Sequence, residues 1–178
     1  MWVPHGRLRV TRCRDHYCGG WGYRALLTLD GQLVGQVRAT SASTPPATEA
    51  GEHSAVSFHP WTPAFTGEDL TAFAAACQLN GCAVASRQVL ALLVEEHRVQ
   101  QMVRGCAARG ATLARFAHED QMHYLPLRAP VDGPHQRAVA LAYLEQVSGL
   151  RGSWLIWSDD RWQELSGFPA PPAAGVFP

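Results

Sequence analysis

Lysine is missing from this chain, and isoleucine (Ile156) and asparagine (Asn80) occur once each. All 15 basic residues are therefore arginine. The three scarce residue types share AT-rich codons, so their rarity reads as the imprint of a GC-rich bacterial genome before it reads as biochemistry. It still has chemical consequences: a Schiff base, an amine nucleophile and the lysine of a phosphate-cradling loop are all unavailable. Excess charge of either sign is lacking too, because the 15 Arg are balanced by 15 Asp plus Glu. That balance removes the global attraction typical of a nucleic-acid binder.

Long apolar runs are also absent. Stretches such as Leu90-Ala91-Leu92-Leu93-Val94 fall far short of the roughly 20 residues a membrane helix requires. The start, Met1-Trp2-Val3-Pro4-His5, has no apolar signal-peptide core, so neither membrane insertion nor export is expected. Cys13, Cys18, Cys77, Cys82 and Cys106 make an odd number without secretory context, which fits reduced thiols and a cytoplasmic location. The chain has 178 residues, 47% hydrophobic and 17% charged. A domain of that size buries roughly 70% of its unfolded surface and needs no metal or disulfide staple.

What the chain does contain is a series of hairpin signals. Asp30-Gly31 lies between two apolar runs, Leu26 to Leu29 and Leu33 to Val37, and supplies the positive φ angles of a tight turn. Leu8 and Val10 alternate with arginines and predict a further strand. Residues 40–54 carry no large apolar side chain and read as a flexible loop. Ala55 to Phe58 predicts a short strand. Thr66 reads as a helix N-cap with Glu68 and Asp69 in the first turn, and Asn80-Gly81 as the stop of that helix near Leu79.

A longer helix is predicted from Ser86 to about Arg109, burying Val89, Leu92, Leu93, Val99, Met102, Val103 and Cys106. Residues 112–116 and 122–127 read as strands joined by a polar turn. Asp132 is the expected N-cap of another helix, which packs through Ala138, Leu141, Ala142, Leu144 and Val147 and is closed by Gly149. Residues 153–157 and 161–165 predict a last hairpin, and 166–178 a Pro-rich, disordered tail. The resulting expectation is an α+β fold: antiparallel sheets built from hairpins with about three helices on one face, forming one domain over 1–165.

Catalytic and metal signatures are weak. Cys13, His16 and Cys18, with His5 nearby, could form a zinc knuckle, but their spacing matches no paired Cys-x2-Cys signature. His118 and His123 are five residues apart, whereas helical metal-binding histidines are four apart, so a solvated turn is the better reading there. Glu96 lies near the apolar stripe of the long helix and is the one candidate for a general acid, with histidines brought from elsewhere. No Gly-x-Ser-x-Gly elbow is present. No cofactor is expected.

Interface-type residues cluster instead. The first 38 residues hold Arg7, Arg9, Arg12, Arg14, Arg24 and Arg38 against Asp15 and Asp30, with Trp2, Tyr17, Trp21 and Tyr23 interleaved. Near the other end, Trp154, Trp157 and Trp162 surround a turn at Asp159-Asp160. Arg7, Arg9, Arg12, Arg14, Trp21, Tyr23, Arg24, Trp154, Trp157 and Trp162 are therefore the candidate partner-binding residues. The function expected is a non-enzymatic adaptor working through protein contacts or self-association. The alternatives are a single-stranded nucleic-acid binder using the same N-terminal face and a small hydrolase-type enzyme with a Glu/His site.

Overall fold

The computed structural model describes residues 7–16, 22–40, 55–79, 81–118, 121–149 and 152–165. Of the loop expected at 40–54, Thr40 is a strand residue and 41–54 lie outside the described residues, as do the tail at 166–178 and Trp2, His5, Tyr17, Cys18, Trp21, Asn80, Glu119 and Asp120. The chain divides into two compact units, 1–99 and 100–178. Each holds a four-stranded antiparallel sheet, so the fold is α+β as its hairpin signals require. No helix among the described residues is long and apolar enough to cross a membrane.

In the first unit β1 (Leu8–His16), β2 (Gly22–Leu29), β3 (Gln32–Thr40) and β4 (Ala55–Pro60) pair in sequence order, each antiparallel to the next. Asp30 and Gly31 turn β2 into β3 with φ angles of 51° and 81°, the left-handed pair that a two-residue hairpin needs. Asp30 also ties down the start of β1: its carboxylate pairs with Arg7, and its N–H donates to the Arg7 carbonyl at 3.0 Å.

Two register irregularities shape this sheet, one between Val10 and Arg12 on β1 and one where Leu27 and Thr28 of β2 oppose Gly35 and Leu33 of β3. Each inserts one extra residue, which reverses the face on which every later residue falls. Leu8, Val10, Ala25, Leu27, Val37 and Ala39 thereby share one buried face. That face belongs to the same core as Leu70 and Phe73 of α1 (Gly67–Ala75) and Val89, Leu90, Leu93 and Val94 of α2 (Ser86–Ala107).

Thr66 caps α1 as expected. Its hydroxyl accepts from the Asp69 N–H at 3.4 Å, while the Asp69 carboxylate accepts from the Thr66 N–H at 2.7 Å. The helix ends at Ala75, short of the predicted Leu79. Cys77 is fully buried, and Gln78–Leu79 (β5) pairs with Cys82–Ala83 (β6), so the glycine at 81 (φ 81°) belongs to a hairpin turn and not to a helix stop. Along α2 the buried stripe is rotated from the predicted one. Leu90 and Val94 are buried with Val89 and Leu93, while Leu92, Val99, Met102 and Val103 are half-buried. Burying each of Leu90 and Val94 contributes about 2 kcal/mol.

In the second unit β7 (Thr112–His118), β8 (Gln121–Leu127), β9 (Leu155–Ser158) and β10 (Arg161–Glu164) pair in the order β10-β9-β7-β8. Ala114, Phe116, Leu127, Trp154 and Ile156 join Ala140 and Leu144 of α3 (Pro134–Ser148) in a second core. The N-cap of α3 is Gly133, one residue beyond the expected Asp132, and no side-chain hydrogen bond caps the helix. Pro134 takes the first turn, where its missing N–H costs nothing. Gly149 closes the helix in the left-handed conformation at φ 70°. Ala138, Ala142 and Val147 were expected to pack but are exposed, since only Ala140 and Leu144 of this helix are buried.

Candidate functional site

The register assigns the N-terminal arginines to one surface. Arg9 opposes Thr28, Arg12 opposes Leu26 and Arg14 opposes Arg24 across β1 and β2, while Arg24 opposes Arg38 across β2 and β3. Facing residues share a face of the pleat. Arg9, Arg12, Arg14, Arg24 and Arg38 therefore stand together on the side of the sheet opposite its core, and all five are exposed. Arg14, Arg24 and Arg38 lie side by side in one cross-strand row, which ends at Ser57 on β4. Other strand residues of this face include Gly22, Leu26, Thr28, Leu33, Gln36, Thr40 and His59. None of them is a carboxylate. Within the face the Arg38 Nε–H donates to the Gln36 side chain at 2.7 Å, and the Ser57 hydroxyl lies 3.2 Å from His59 Nε2.

Arg7 belongs elsewhere, at the β2–β3 turn with Asp30. Tyr23 falls on the opposite face, 5% exposed, beneath the Arg98 guanidinium, which lies 5.0 Å from its ring centroid. A surface role for Tyr23 is thus corrected: the pleat that exposes Arg24 buries its neighbour. Arg98 also pairs with Asp15. Burial pushes the Cys13 thiol and the Tyr23 hydroxyl above their ordinary values, with Arg98 partly offsetting each. A thiol held protonated is a poor nucleophile and a poor metal ligand. Through its contacts with Asp15 and Tyr23, Arg98 ties β1 and β2 to α2. Among the described residues no group of three or more His, Cys, Asp and Glu side chains could hold a metal ion.

The tryptophan hairpin separates its three indoles. Asp159 and Asp160 turn β9 into β10 with φ angles of 51° and 57°. Trp154 is fully buried and stacks on Phe116 at 5.1 Å, so it is a core residue and offers nothing to a partner. Trp157 and Trp162 oppose one another and meet edge to face at 5.3 Å, both half-buried. Arg115 lies over Trp162 at 4.2 Å, and Tyr124 stands 6.5 Å from it. Burial pulls the Arg115 guanidinium below its ordinary value, and among the described residues its Nε has no hydrogen-bond partner. The cation already occupies one face of the indole. This group is a self-contained aromatic cluster with a limited exposed rim.

His118 and His123 lie on one face of the β7–β8 hairpin, ring centroids 6.4 Å apart. Glu96 is exposed on α2, without the apolar enclosure that a general acid of the proposed kind requires. The arrangement best suited to recognition is consequently the arginine face. Arg38, absent from the predicted set of site residues, completes it, and the signal that could have found it is the hairpin register once the bulge is allowed for. The chain matches no protein-family model, no curated protein and no solved structure.

Proposed function

We propose that this protein is a non-enzymatic adaptor that docks an acidic protein surface on the arginine face of β1–β4. One observation carries the reading: five exposed arginines share a sheet face on which no strand residue is a carboxylate, three of them directly opposite one another. Like charges facing across strands destabilise a sheet. A fold tolerates such conflicts chiefly where function demands them. The guanidinium fork matches a carboxylate in bidentate geometry and is weakly hydrated, so it loses little on entering an interface. Leu26 and Leu33 on the same face supply apolar contact between the charges.

A protein partner is favoured over single-stranded nucleic acid because, among the described strand residues, the face carries no indole, phenol or phenyl ring on which bases stack. Tyr23 is buried on the opposite face, and none of the described strand residues of the arginine face is Trp, Tyr or Phe. Stacking is worth about 1–3 kcal/mol per base, and the chain has no net charge to replace it.

The test is purification of the wild type and of a triple Arg12→Glu, Arg14→Glu, Arg24→Glu variant from cells that express the protein natively, with and without nuclease. A stoichiometric acidic protein that survives nuclease and is lost in the variant supports the adaptor. Co-purification of nucleic acid alone, or an associate that the variant retains, refutes it.

A further inference from the structure

We infer that the partner supplies an extended acidic segment that adds as a fifth strand along the free edge of β1, a reading that rests on the adaptor proposal above. β1 ends the sheet order and is nine residues long, and among the described residues no strand pairs with its outer side. An unpaired edge presents a row of N–H and C=O groups that an extended chain can complete. The two edges of this sheet differ in charge. β4 places Ser57 and His59 on the exposed face, whereas β1 places Arg9, Arg12 and Arg14 there.

A strand laid beside β1 would set alternate side chains directly opposite those arginines. A carboxylate opposite Arg14 extends the Arg14, Arg24, Arg38 row with the charge that row lacks. The intervening side chains of the added strand fall on the other face, beside buried Leu8 and Val10 and half-buried Cys13. The segment that fits therefore alternates carboxylates with small apolar or β-branched residues.

Charge and the bulge at Thr11 also exclude ordinary partners. Both devices discourage neutral, flat strands from pairing with an edge, so the same arginines that repel misassembly select an acidic strand. Arg24 and Arg38 lie on the inner strands β2 and β3, where edge protection gives no reason for them.

The experiment measures fluorescence anisotropy of labelled ten-residue peptides on the full chain. One peptide alternates Glu with Val or Thr; a second has the same composition with the Glu residues in one block; a third is the alternating peptide N-methylated at every second residue, and oligo-dT is the fourth probe. The alternating peptide is expected to bind at least about tenfold more tightly than the block or the N-methylated form, roughly the worth of one charge-assisted contact. It should lose about as much again with Arg12→Glu plus Arg14→Glu, and slow exchange of β1 amides when bound. Equal binding of all three peptides, sensitive to the arginine variants, overturns strand addition and leaves the acidic-partner reading standing. Arginine-dependent binding of oligo-dT without peptide binding overturns both. Failure of every probe overturns strand addition, with the adaptor then judged by its own purification test.

Discussion

Replacing Arg24 by Gln should stabilise the first unit, and by an amount that salt controls. Arg24 sits between Arg14 and Arg38 in one cross-strand row, so a single substitution removes two like-charge pairs. Facing Cβ atoms lie about 5 Å apart. Letting the exposed guanidinium groups splay to about 7 Å, Coulomb's law in water gives about 0.6 kcal/mol per pair before screening. Two pairs then amount to about 1 kcal/mol at 10 mM salt, about 0.5 kcal/mol at 0.15 M and about 0.1 kcal/mol at 1 M, following the shrinking Debye length.

The assay is urea unfolding at those salt concentrations, followed by hydrogen exchange of β2 and β3 amides so that the first unit is read separately. Arg12→Gln is the control, since Arg12 faces Leu26 and not another cation. If Arg24→Gln proves neutral at low salt, or if its gain persists at 1 M, the like-charge row is not the source of strain. The arginine row then gives no energetic reason for an anionic partner.

Further outcomes follow from the packing. Gly35→Ala should destabilise the β3–β4 pair by roughly 1–3 kcal/mol, because a Cβ there would lie 2.5 Å from the Phe58 ring and 2.6 Å from the His59 carbonyl; unchanged thermal melting would contradict that geometry. Trp154→Ala should cost about 3–5 kcal/mol in the second unit, whereas Trp154→Phe should cost distinctly less, because among the described residues the buried indole N–H has no hydrogen-bond partner to lose; equal losses in chemical denaturation would contradict that. Exposed Cys82 should be alkylated much faster than half-buried Cys13, whose thiol burial pushes up, with buried Cys77 slower still, as read by peptide mass mapping. Because the folded Cys13 pKa is raised, its contribution to stability is fully present below the unfolded value near 9.0 and is lost as pH rises through the folded one, so Cys13→Ser should flatten the alkaline limb of the stability curve. Asp69 has the opposite sign: its cap bonds to Thr66 hold it below the usual carboxylate range, so its contribution is present at neutral pH and lost as pH falls through the lowered value. Asp69→Asn should blunt the acid limb measured by circular dichroism.

Local signals carried most of the architecture. The chain's own residues determined the Asp30-Gly31 hairpin, the Thr66 cap and the Gly149 closure. Each depends on a few neighbouring residues whose backbone preferences dominate. Tertiary packing overrode local preference where a helix could either continue or stop. Asn80-Gly81 reads as well as a helix stop as a turn, and burial of Cys77 together with the β5–β6 pairing sets Gly81 between two strands.

The candidate site shows the same division. Arginine abundance was legible; the face was not. Counted evenly from the Asp30-Gly31 turn, Arg24 would oppose Val37, and on an unbroken β1 both Arg12 and Arg14 would point into the core. Two bulges, one on β1 and one on β3, shift the register so that Arg9, Arg12, Arg14, Arg24 and Arg38 meet on one surface. The physical reason lies in the core: Ala25, Leu27, Val37 and Ala39 must all turn inward at once, and one extra residue per strand is the smallest distortion that lets strands of mismatched phase do so. Composition alone determined that any cationic surface here would be made of arginine, and only the packed sheet decided where that surface lies.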